Sequence, residues 1–117
     1  MTNPAPATTV NLDLPEETWA IALRPPARLT SQVMPLDLEL KARITAAPLA
    51  AGSETRHRIV VCTKADSLRL MRFYWFASEH FELFNDRQRV HLCSEAFHLI
   101  VRASARAGFG PSTSGRG

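Results

Sequence analysis

The sequence predicts an α+β domain, on two observations. In residues 8–14 and 36–44 apolar side chains alternate with polar ones, the period-two pattern of half-buried strands, and residues 56–63 return as a third strand. In residues 66–84 and 88–106 they recur every three or four positions, the pattern of amphipathic helices. The expected architecture is a small, mainly antiparallel sheet of about three strands. It packs against a short N-terminal helix and two longer C-terminal helices.

Residues 1–7, with Pro4 and Pro6, read as a flexible arm. Val10, Leu12 and Leu14 then alternate with Asn11 and Asp13 in a first strand. Pro15, Glu16 and Glu17 suit a first helical turn, because proline needs no amide partner there and acids favour the positive end of the helix dipole. Trp19 and Leu23, with Ala20, would face the core of this short helix. Pro25 and Pro26 end it, since a residue before proline is pushed out of the α region.

Residues 25–35 read as an irregular connection. Over Leu36–Ile44, five apolar residues alternate with Asp37, Glu39, Lys41 and Arg43, which predicts a strand with one solvated face. A loop at Pro48–Ser53 would then return the chain through Arg56–Thr63 as the other arm of an antiparallel hairpin.

Thr63 and Asp66 have the spacing of a capping box, with Asp in place of the usual Glu or Gln. Leu70, Phe73, Tyr74, Ala77, Phe81 and Phe84 fall on one face of the helix that follows. Asn85 and Asp86 break it. Val90, Cys93, Phe97, Ile100, Val101 and Ser104 share a face of the next helix. If residues 89–93 were instead a strand, the order would be ferredoxin-like, βαββαβ plus a C-terminal helix. The unbroken period through Ala107 favours the helix. Residues 108–117 have the composition of a flexible tail, leaving 8–107 as a single globular domain.

Composition narrows the function classes. Apolar residues make up 45% and charged residues 21% of the 117, which is globular rather than disordered. No apolar run approaches the ~20 residues of a membrane span, and Met1–Val10 lacks the features of a secretory signal. With only Cys62 and Cys93, the expected setting is a reducing, bacterial-type cytoplasm. Net charge is +3. Residues 1–55 carry four basic and six acidic side chains, and residues 56–117 carry ten and five.

No nucleophile elbow, phosphate loop or dinucleotide-binding turn is present, and an enzyme is not expected. His91, Glu95, His98 and Arg102 share one helix face, read as solvated and bearing weak i,i+4 pairs. Glu95-x-x-His98 matches the spacing of di-iron helices, but such sites need two of these motifs. Cys62, His80, His91, Cys93 and His98 lack the paired spacings that set zinc geometry, so neither metal nor cofactor is expected. Cys62 and Cys93 read as small buried hydrophobes.

The aromatic run Phe73-Tyr74-Trp75-Phe76 is the strongest feature. Besides the main apolar face, Leu68, Met71 and Trp75 form a second strip at steps of three and four. A helix with two apolar faces is either sandwiched between layers or presents one face to a partner. Trp, Tyr and Arg are enriched at binding hot spots. The sequence thus predicts a non-enzymatic protein-binding module, an accessory subunit, adaptor or inhibitor. Leu68, Met71, Arg72, Trp75 and Glu79 are its contact residues, and the partner is another protein or a second copy. The alternative is a small basic nucleic-acid-binding protein, a regulator, using Arg56, Arg58, Lys64, Arg69, Arg87 and Arg89, with the aromatic run available for stacking.

Overall fold

The computed structural model describes residues 8–30, 36–50 and 56–109, and the arm and most of the tail expected from the sequence lie outside them. The elements in chain order are β1 Thr9–Pro15, α1 Glu16–Leu23, α2 Ala27–Thr30, α3 Leu38–Ala46, β2 Leu49–Ala50, β3 His57–Thr63, α4 Lys64–Leu83 and α5 Arg87–Arg106. The class is α+β. Its sheet is essentially the antiparallel pair β1 and β3, with the two-residue β2 flanking one end of β3. Among the described residues no helix is long and apolar enough to cross a membrane.

The segment expected as the middle strand is a helix, α3. Alternation every two residues contains a repeat every four, and the chain uses that repeat. Leu36, Leu40 and Ile44 are buried, while Leu38 is 83% exposed. Asp37 caps the helix by accepting from the Leu40 N–H at 2.8 Å. Leu, Glu, Lys, Ala and Arg are all good helix formers, and no β-branched residue precedes Ile44. The predicted hairpin with residues 56–63 is therefore replaced. β3 pairs instead with β1, in a continuous register from Thr9↔Thr63 to Pro15↔His57.

The remaining elements follow their local signals. Thr63 and Asp66 form both arms of the capping box, at 3.1 and 3.0 Å, and start α4. α4 ends at Asn85, whose φ of 55° is left-handed. The Asn85 and Asp86 N–H groups close back on the carbonyls of Glu82 and Phe81, a Schellman motif. Asp86 then caps α5 by accepting from the Arg89 N–H. Residues 89–93 are helical, which rules out the ferredoxin-like order. Gly108, at φ 82°, and Phe109 complete a second Schellman closure on Ala105 and Ser104. The boundary expected at 108 thus falls inside the cap of α5.

One core joins the layers. Leu12, Leu14, Val60 and Cys62 point from the sheet toward Leu70, Phe73, Tyr74, Ala77 and Phe81 of α4 and Cys93, Ala96 and Ile100 of α5. α4 and α5 pack along their length, α5 against β1, and α3 and α4 against β3. Trp19 of α1 is fully buried and donates to the Arg58 carbonyl at 2.9 Å. The Tyr74 hydroxyl donates to the Thr18 carbonyl at 2.7 Å. These two bonds satisfy the polar ends of the two largest buried rings and fix α1 to both layers.

Candidate protein-binding surface

Packing on the sheet consumes one face of the α4–α5 pair and leaves the other open. On α4 the main face (Leu70, Phe73, Tyr74, Ala77 and Phe81) is buried, but Phe84, expected with it, is 56% exposed. It stands at the C-terminal cap, where the helical direction is lost, and its ring packs at a tilt against His80 with centroids 5.1 Å apart. The second apolar strip is not sandwiched. Leu68 and Trp75 are 44% and 48% exposed.

Trp75 lies against Phe97 of α5, with ring centroids 5.5 Å apart and planes tilted by 51°. Met71, beside it on α4, is half-buried and packs on the core. Val101, one turn beyond Phe97, is 39% exposed. Arg72 and Glu79 are exposed on the same helix. The surface is therefore an aromatic and aliphatic seam between two helices, bordered by one residue of each charge. Phe97 and Val101 completed it unforeseen, because their 3.6-residue period reads them as core. Phe76 (37% exposed) and Leu83 (80% exposed) extend the apolar surface around α4.

The basic candidates do not gather into one field. Arg58 is turned inward, donating to the Ala47 carbonyl at 2.7 Å and to Glu16 at 3.1 Å. Arg56 approaches the same Glu16 at 3.9 Å, and Arg69 approaches Asp37 at 3.8 Å. Arg89 is bound to Asp86 at 2.6 Å and lies over the Phe81 ring. Lys64 sits at the start of α4 and Arg87 at the start of α5, at opposite ends of the hairpin, and both are exposed. Phe73, one of the rings available for stacking, is 2% exposed.

The titratable groups with displaced pKa values serve the frame. Burial pushes the Cys62 and Cys93 thiols up to about 12, so both are protonated and unreactive near neutral pH. Burial likewise raises Tyr74. Burial would raise Asp66, but hydrogen bonds from Thr63 and Arg43 outweigh it and hold the carboxylate below its usual range. His91, Glu95, His98 and Arg102 are exposed, whereas Cys93 on the same helix is buried. Among the described residues no three His, Cys, Asp or Glu side chains converge as metal ligands.

Comparison with family models, with curated proteins and with solved structures finds no match to this chain.

Proposed function

We propose that this chain is a cytoplasmic, non-enzymatic protein-binding module, an accessory subunit, adaptor or inhibitor that works by occupying a partner's surface. The observation carrying this reading is the half-exposed Trp75 packed at a tilt against Phe97, with Leu68, Met71 and Val101 around it. A rigid aromatic anchor ringed by aliphatic side chains is the composition of a binding hot spot. Arg72 and Glu79 at its border supply polar contacts that orient a partner. Buried, protonated thiols agree with a structural role for Cys62 and Cys93.

The nucleic-acid reading has weaker support, because Arg56, Arg58, Arg69 and Arg89 each have a carboxylate within the chain. The test is affinity capture of the tagged protein from its native cell, with and without nuclease, using wild type and Trp75→Ala. A partner protein retained after nuclease and lost from Trp75→Ala supports the proposal. Recovery that depends on nucleic acid and falls steeply with salt supports the alternative.

A further inference from the structure

Among the described residues, the β1 side of the sheet is an edge with the chemistry of a strand acceptor. In an antiparallel pair, residues alternate between exchanging hydrogen bonds with the neighbouring strand and pointing their N–H and C=O groups away from it. The Glu16 N–H donates to the Arg56 carbonyl at 2.8 Å, one step beyond the Pro15↔His57 pair. That sets the phase of the ladder. Leu14, Leu12 and Val10 bond to β3, whereas Pro15, Asp13, Asn11 and Thr9 turn their backbone groups outward. Two facts agree with this phase. Proline, which has no N–H, occupies an outward position, and Val61, opposite Asn11, has its carbonyl free to accept from Arg43 on the other edge of β3.

The outward N–H and C=O groups of Thr9, Asn11 and Asp13 have no partner among the described residues. Natural edge strands are usually blunted by lysine, proline or a bulge. From Thr9 to Asp13 this strand has none of these; its one charge, Asp13, is paired with His57, and its register is continuous.

We infer that β1 pairs, antiparallel, with β1 of a second copy of this chain, extending the sheet across a two-fold axis at Asn11. The side chains favour this occupant and this register. Centring on Asn11 sets Asn11 against Asn11 of the second copy, and two amides are mutually complementary in hydrogen bonding. Thr9 then faces Asp13 of the second copy, so a hydroxyl meets a carboxylate. A shift of the centre to Asp13 would oppose like charges, which is unfavourable. Each Asp13 is already oriented by His57, at 2.9 Å. The edge also has apolar surface to bury. Val10 is half-buried, as are Leu99 and Ala103 of α5, the helix that packs against β1.

Two measurements on the full chain test this. Sedimentation across a wide concentration range should show wild type at twice the 13.0 kDa chain mass. Asn11→Pro should raise the concentration for half-dimerisation at least tenfold while keeping the monomer's circular dichroism, because the lost N–H makes no bond among the described residues. Trp75→Ala should dimerise as wild type does. In wild type alone, amide exchange at Thr9, Asn11 and Asp13 should slow as concentration rises, whereas Leu12 should be protected at all concentrations. A monomeric wild type, dimerisation lost in Trp75→Ala but kept in Asn11→Pro, or outward amides indifferent to concentration would each overturn the inference.

Discussion

Arg43 of α3 holds Asp66 of α4 through a 2.8 Å Nη2–Oδ2 bond, while its Nη1 donates to the Val61 carbonyl of β3 at 2.7 Å. One side chain thus joins three elements and occupies an edge carbonyl of the sheet. Asp66 is the same residue that accepts from the Thr63 N–H and closes the cap of α4. The buried carboxylate is therefore satisfied from two directions, which is what makes it stable at 5% exposure.

Asp66→Asn should destabilise the fold by about 1–3 kcal/mol, through the loss of a cap and a charge-assisted bond. The sign of its pH dependence follows from the depressed carboxylate pKa. The stabilisation is fully present above the ordinary value of 3.8 and is lost as pH falls through the lower folded value. Thermal unfolding should show a constant gap between wild type and variant from about pH 5 to 8, closing at more acid pH.

Trp75→Ala separates an interface from core. Half-exposed, Trp75 should lose little folding stability on truncation, about 1 kcal/mol or less, yet at least ~2 kcal/mol of partner affinity. Phe81→Ala, at 6% exposure, should cost about 3–5 kcal/mol of stability. Equal melting losses in the two variants would remove the reason for reading the seam as a binding site.

The α4–α5 turn rests on the left-handed conformation of Asn85. Asn85→Gly should be neutral or stabilising by up to ~1 kcal/mol, since glycine adopts φ > 0 without steric cost. Asn85→Val should destabilise by about 1–2 kcal/mol or more. Denaturant unfolding of the three proteins measures the order.

Cys62 and Cys93 should resist thiol reagents in the native protein at neutral pH and react fully only on unfolding. Each thiol ionises at 9.0 when exposed but at about 12 in the fold, so stability should decline as pH rises between those values. Cys62→Ala and Cys93→Ala should each flatten that alkaline decline. Rapid labelling of the folded protein would contradict the burial of both.

What the sequence determined by itself is what local chemistry decides. The capping box at Thr63 and Asp66, the 3.6-residue period through α4 and α5 and the break at Asn85 each involve residues within a few positions. The burial of Leu70, Phe73 and Cys93 followed from that period. Tertiary structure alone decided Leu36–Ile44, whose alternation fits a strand and whose four-residue subset fits a helix. The helix prevails because Leu40 and Ile44 bury beside β3 while Arg43 reaches Val61 and Asp66, 18 and 23 positions away. The same holds for Trp75. Periodicity marks two apolar strips on α4 without ranking them, and which one meets solvent depends on where the sheet and α5 lie. Strand pairing is likewise non-local. β3 pairs along its whole length with β1 and keeps only the two-residue β2 as a hairpin neighbour, because the residues expected as the hairpin arm coil into α3.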